Sequence, residues 1–122
     1  MILVDTSIWI DHLRSGSEPL GHALEEGLVE THPLVIGELA CGNLSNRHEV
    51  ISLMQGLPVA PVATETEALA FIDSRSLMGR GIGYIDVHLL ASAALSGSST
   101  RLWTFDRRLL AVARELDLSY EE

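Results

Sequence analysis

The chain opens on a short apolar run, Met1-Ile2-Leu3-Val4, stopped at once by Asp5. A continuous rather than alternating apolar run suits a strand covered on both faces, so residues 1–4 read as a buried strand. Ile8, Trp9, Ile10 and Leu13 follow at spacings that share a helix face, and Asp5 or Thr6 is placed to cap a helix through Arg14. Gly16 and Pro19 break it, and residues 20–26 predict a second short helix stopped by Gly27. Residues 28–32 predict a strand ended by Pro33, and 34–41 and 45–53 predict helices with stops at Gly42-Asn43 and Gly56. Pro58-Val59-Ala60-Pro61-Val62 is extended, and its two prolines, which lack an N–H, consign it to a sheet edge. Thr64 with Glu67 three residues on has capping-box spacing and opens a helix to about Met78. After a glycine loop at 79–83, residues 84–95 are so apolar that their helix must be largely buried. A turn at 97–99, a strand at 101–105 and a helix at 106–116 complete the pattern.

Strands alternate with helices, and no tight turn joins two strands. That pattern predicts an α/β fold on a parallel sheet. The length of 122 residues suits one domain, 1–122, large enough to bury a core without staples. The lone cysteine, Cys41, excludes an internal disulfide and Cys-rich zinc sites, and reads as a buried small apolar residue. No apolar stretch approaches the ~20 residues of a membrane span, and the first residues lack the basic start of a signal peptide. A cytoplasmic location and no membrane partner are expected. Charge changes the picture further. Eight arginines, no lysine and seventeen acids leave a net charge of −9. Such a balance disfavours passive binding of a phosphate backbone and favours a cation or a basic partner.

In parallel α/β folds, ligands sit beyond the carboxyl ends of the strands. Asp5 and Asp106 each follow a strand, which puts both on one edge of the sheet; each is also placed to cap the next helix. Asp86 has Leu90 and Ala93 at i+4 and i+7, an apolar face. Glu38 lies between apolar stripes, with Leu34 and Val35 before it and Gly42 after it. A rim position reaching solvent is the plain alternative for both. A carboxylate turned toward a core needs a partner, arginines are few, and a divalent metal is the simplest candidate. Oxygen-only donors select Mg²⁺ or Mn²⁺, which lower the pKa of bound water and hold a phosphate oxygen, chemistry suited to phosphodiester hydrolysis. Thr6 and Thr104 can orient the carboxylates or a ligand water.

Four segments carry a resemblance. Leu3-Val4-Asp5-Thr6-Ser7, Gly37-Glu38-Leu39-Ala40, Asp86-Val87-His88-Leu89-Leu90-Ala91-Ser92-Ala93 and Leu102-Trp103-Thr104-Phe105-Asp106-Arg107-Arg108-Leu109 resemble, in order, the four acidic motifs of PIN-domain ribonucleases. The chain is most similar to the VapC-type toxins of bacterial toxin–antitoxin pairs. The resemblance implies a three-layer α/β/α fold with a four- or five-stranded parallel sheet flanked by helices. It implies a Mg²⁺- or Mn²⁺-dependent endoribonuclease acting on tRNA or ribosomal RNA, a homodimer, and a VapB-like antitoxin. It carries over Asp5, Glu38, Asp86 and Asp106 as the catalytic quartet. Asp5 and Asp86 would be direct metal ligands, with Glu38 and Asp106 able to join them.

The remaining residues fit around that reading. Arg80, Arg107 and Arg108 are candidate RNA contacts, and Arg14 and Arg75 could extend the same basic rim; solvated arginines paired with acids are the alternative. The loop Gly79-Arg80-Gly81-Ile82-Gly83 lacks the ending of a phosphate-binding loop and reads as flexible. His88 reads as a structural histidine, because two residues from Asp86 it cannot share its helix face. Trp9 and Trp103 read as core or dimer-interface residues rather than base-stacking platforms, and Ile8, Leu53 and Leu57 are further candidates for a dimer face. Two other functions compete. A phosphoacceptor domain is disfavoured, because receivers need a lysine and the Asp-nucleophile phosphatases carry Asp-x-Asp-x-Thr. A non-catalytic acidic module binding a basic peptide is the remaining alternative.

Overall fold

Three short parallel strands hold the molecule's centre in a computed structural model that describes residues 1–122. β1 (Ile2–Val4) leads through helices α1 (Thr6–Ser15) and α2 (Glu18–Glu25) to β2 (Val29–Glu30). Helices α3 (Pro33–Cys41), α4 (Arg47–Gln55), α5 (Glu65–Arg75) and α6 (Tyr84–Leu95) precede β3 (Arg101–Trp103), and α7 (Arg107–Glu115) follows it. The sheet order is β2-β1-β3, with Ile2 opposite both Val29 and Arg101 and Val4 opposite Trp103.

Each edge gains a single-residue bridge, Thr31 with Val59 and Leu102 with Ser119, so the expected fourth and fifth strands exist as isolated parallel contacts. The physical reason at Val59 lies in its neighbours. Pro58 still accepts from Thr31 N–H (2.8 Å) and Ala60 N–H donates back (2.9 Å), but Pro61 offers no donor to continue the ladder. At the other edge Leu102 N–H donates to Leu118 O (2.8 Å) and Tyr120 N–H donates to Leu102 O (2.8 Å).

The path from β1 to β2 runs one way across the sheet, and the path back to β3 runs the other way. Among the helices, α1 packs on α3 and α3 on α4, whereas α6 packs on α5 and β3. The strand order reverses between β1 and β3, and open α/β sheets bind ligands beyond the carboxyl ends at such a point.

Burial follows the apolar pattern. Leu3, Val4, Ile8, Trp9, Leu102 and Leu109 are inaccessible or nearly so, and Val87 to Ala93 are buried without a break, as a helix apolar on every side requires. Trp9 and Trp103 are core residues. Ile8 is buried with them, which removes it and Trp9 from any dimer face, whereas Leu53 is exposed. Cys41 corrects an expectation: it is exposed, because it ends α3 on the side away from the buried Leu39. The expected capping box is present, with Thr64 Oγ1 accepting from Glu67 N–H (3.1 Å) and Glu67 Oε1 from Thr64 N–H (2.9 Å). The glycine loop is clipped to α7 rather than loose. Arg80 bonds Glu115 (2.8 Å), and the Arg108 side chain lies across Gly81, where an added β-carbon would sit 2.7 Å from its Cδ. Gly81 also has φ +79°, a conformation that favours glycine. No helix is long and apolar enough to cross a membrane.

Candidate active site

Asp5 stands at the first position past β1, where it was equally placed to cap α1. It does not cap: its carboxylate makes no bond to the helix N-terminus. Instead Asp5 Oδ2 accepts from Thr104 Oγ1 (2.6 Å) and Ser7 Oγ (2.9 Å), and the residue is buried. The two hydroxyls are themselves oriented by backbone donors. Asp106 N–H donates to Thr104 Oγ1 (3.0 Å) and Phe105 N–H donates to Ser7 Oγ (3.0 Å). The turns after β1 and β3 are thereby laced together, and Asp5 is held both by its neighbour Ser7 and by Thr104, nearly a chain length away. Thr104 is thus a positioning residue, as the sequence suggested; Ser7 was missed, although its place two residues after Asp5 permits the contact.

Asp106 does cap its helix, accepting from Leu109 N–H through Oδ1 (2.9 Å), and is exposed, so its second oxygen stays available. Glu38, in the middle of α3, is exposed at the rim and accepts from Thr6 Oγ1 (2.7 Å). Thr6 therefore positions Glu38, not Asp5. Asp86 is half-buried in the first turn of α6, and its Oδ2 accepts from Gly83 N–H (3.1 Å).

The four acids form one electrostatic unit. Burial raises the Asp86 pKa above the usual carboxylate value, against the lowering effect of the Gly83 N–H, and the charges of Asp5, Asp106 and Glu38 raise it further. None of the four pairs with an arginine or histidine. Carboxylates brought together without a counter-charge are costly unless a cation completes them. No three acid, histidine or cysteine side chains close into a cage. Mg²⁺ needs no such cage, since it retains several waters and binds through one or two carboxylates. The donors that this edge offers are all oxygen, the kind that Mg²⁺ takes.

Around this edge, Arg107 and Arg108 are exposed at the start of α7 beside Asp106. Arg80 is bound to Glu115, which takes up its charge. Phe105, unremarked in the sequence, is exposed on a backbone fixed by Ser7, whereas both tryptophans are buried. Its signal was available in its place between a strand and an acidic residue.

Histidines occupy the flank next to β2. His32 is wholly buried and caps α3, its Nδ1 accepting from Leu34 N–H (3.0 Å). Burial, and then the neighbouring His88, lower its pKa to about 4, so the ring is neutral near pH 7. His88 is buried, in line with a structural role, and lies edge-on to Tyr84 at 4.6 Å.

Residues 2–115 match the PIN domain family. The chain is 45% identical to ribonuclease VapC32 of Mycobacterium tuberculosis, in each of two strains, across all of this chain and 98% of the relative.

Proposed function

The chain belongs to the PIN-domain family, in its VapC branch, and from that premise we propose that it is an endoribonuclease toxin that hydrolyses RNA phosphodiester bonds. The observation that carries this is the set of four carboxylates at the switch point of the sheet, close enough to raise the Asp86 pKa and compensated by no basic side chain. Asp5, Glu38, Asp86 and Asp106 are the catalytic acids. Asp5 and Asp86 hold the ion, Mg²⁺ with Mn²⁺ as substitute, which supplies an activated water and charge neutralisation at the phosphate. Thr104 and Ser7 keep Asp5 in one orientation, and Thr6 does so for Glu38. Arg107 and Arg108 contact RNA phosphates, and Phe105 offers an exposed ring to a base. Arg80 serves the fold through Glu115.

The net charge of −9 bears on regulation as well. A groove of about 360 Å³ lined by Ile10, Leu13, Leu44 and Val50 adjoins a second hollow that reaches Glu38. A VapB-like antitoxin fits this run, with an apolar segment in the groove and basic side chains over the acids. A cytoplasmic homodimer acting on tRNA or ribosomal RNA completes the reading.

Cleavage of total bacterial RNA by the purified chain tests it, with Mg²⁺ or Mn²⁺, with EDTA, and with Asp86→Asn prepared identically. Discrete fragments that need both metal and Asp86 are expected. Cleavage that survives in Asp86→Asn or in EDTA would refute the assignment. Absence of both cleavage and metal binding would favour an acidic module for a basic peptide.

A further inference from the structure

The glycine loop between α5 and α6 touches α7 at two points. Arg80 bonds Glu115 at 2.8 Å, and the Arg108 side chain lies on Gly81. Arg108 and Glu115 are about two turns apart, so one face of α7 carries both contacts. The fit at Gly81 is close. A β-carbon built there would meet Arg108 Cδ at 2.7 Å, Nη1 at 2.8 Å and Nε at 3.1 Å. Its three nearest neighbours would thus all belong to Arg108, and any side chain at this position must push the guanidinium aside. Glycine alone leaves the seat open, and the φ of +79° suits it as well.

Charge and place say what the seat is for. Arg108 makes no ion pair, although the chain carries seventeen acids and Asp106 stands two residues before it. Arg80, Arg101 and Arg114 are each paired with an acid. Arg108 is exposed, so its fork of N–H donors is open to a ligand. The loop that seats it also holds one of the four acids. Gly83 N–H donates to Asp86 Oδ2 at 3.1 Å, and two residues of chain, at most ~7 Å, separate Gly81 from Gly83. A free guanidinium beside carboxylates suited to a cation is arranged for a phosphate, which it takes through two parallel bonds.

We propose that Gly81 is a positioning residue for RNA binding: by lacking a side chain it holds the Arg108 guanidinium over the loop, ready to grip an RNA phosphate next to the four acids. The seat limits the rotamers of Arg108 before RNA arrives, so less freedom is lost on binding. Gly81 acts through Arg108 and not through Arg107, which points ~100° further around α7. The assignment rests on the ribonuclease reading for its ligand, and its test separates the two.

A fluorescent single-stranded RNA of mixed sequence is titrated with the full chain in EDTA over a range of salt concentrations. Arg108→Ala should weaken binding about 10-fold and flatten the slope of log affinity against log salt by about 0.7, the share of one phosphate contact on a single strand. Gly81→Asn tolerates the positive φ but carries a β-carbon, and should reproduce both changes. In the Arg108→Ala background it should add nothing, whereas in the Arg107→Ala background it should add its full effect. An unchanged salt slope in Gly81→Asn, a full further loss in the Arg108→Ala background, or no RNA binding by the wild type overturns the proposal. Arg108→Lys leaves Gly81 untouched and keeps the charge without the fork. It should keep the slope and recover only part of the affinity, and full recovery overturns the seat. With metal restored, Gly81→Asn should raise KM by the same factor, and a loss confined to kcat overturns the phosphate role. Any of these failures with cleavage intact leaves the ribonuclease reading standing. Should the wild type cut no RNA while the coupling of Gly81 to Arg108 persists, the ribonuclease reading fails and the seat stands.

Discussion

The two edges of one small sheet treat charge in opposite ways. At the amino edge, polar groups are matched. The terminal ammonium of Met1 donates to Ser99 O (2.6 Å), and Thr100 entering β3 donates to Glu30 (2.5 Å). Arg101 bonds the carbonyls of Asp117 and Ser119 as well as the Asp117 carboxylate. At the carboxyl edge, four acids meet with hydroxyl and amide donors but no cation. Both edges belong to the same strands, so strand chemistry does not explain the contrast. The amino edge is arranged for stability. The carboxyl edge stores repulsion that a bound cation relieves, the usual trade between a working site and the stability of the fold around it.

The contrast breaks most sharply at Asp86. Asp86→Asn should remove a direct metal ligand and lower RNA cleavage by more than the ~10–100-fold typical of residues one shell out. Because burial and three neighbouring charges disfavour ionised Asp86, the same change should raise the Tm of the metal-free protein by a few degrees. Mg²⁺ should stabilise the wild type and not the variant. A metal-free Asp86→Asn protein less stable than the wild type would mean that the acids do not strain one another.

Next in size is a pH effect on the same flank. The folded His32 pKa of about 4 lies below the unfolded value of 6.5, so the unfolded chain binds more protons between these values. The stability linked to His32 is therefore complete above pH 6.5 and is lost as pH falls toward 4, by roughly 3 kcal/mol in all. Urea unfolding at pH 7.5 and pH 4.5 should show this loss in the wild type, and a smaller one in His32→Asn.

A smaller effect sharpens the role of the hydroxyl lattice. Thr104→Val keeps shape but deletes the bonds to Asp5 Oδ2 and from Asp106 N–H, and should slow cleavage ~10–100-fold. RNA affinity should change little, so the loss belongs in kcat. Phe105→Ala should do the reverse, weakening RNA binding by about 10-fold through lost stacking. A gel-shift titration in EDTA separates the two. The smallest effect belongs to the amino edge. Arg101→Ala should cost about 1 kcal/mol or less, as exposed ion pairs do, and leave cleavage unchanged. A large loss of activity in that variant would erase the division between the edges.

Much of this molecule was legible in its residues. The helix at Tyr84–Leu95 followed from its unbroken apolar run, the capping box from Thr64 and Glu67, and the parallel sheet from alternation without hairpins. These features depend on a few neighbouring residues, where periodicity and local hydrogen bonding dominate. Asp5 and Asp106 stood out at strand ends, Glu38 and Asp86 at interrupted apolar faces, and the family resemblance joined the four. What sequence could not decide was which hydroxyl serves which acid. Asp5 forgoes its helix cap for Thr104, and that choice exists because β3 lies beside β1. Thr6 turns to Glu38 for the parallel reason that α1 packs on α3. Cys41 at an exposed helix end, Arg80 taken up by Glu115, and an unpartnered His32 nitrogen in the core were equally hidden. Each depends on contacts between segments tens of residues apart, fixed by crossover direction and packing rather than by local preference. The residues alone put Asp5 and Asp106 past strand ends on one edge, and the likeness of four segments to a known family pointed to Glu38 and Asp86 beside them; tertiary structure decided how each is held.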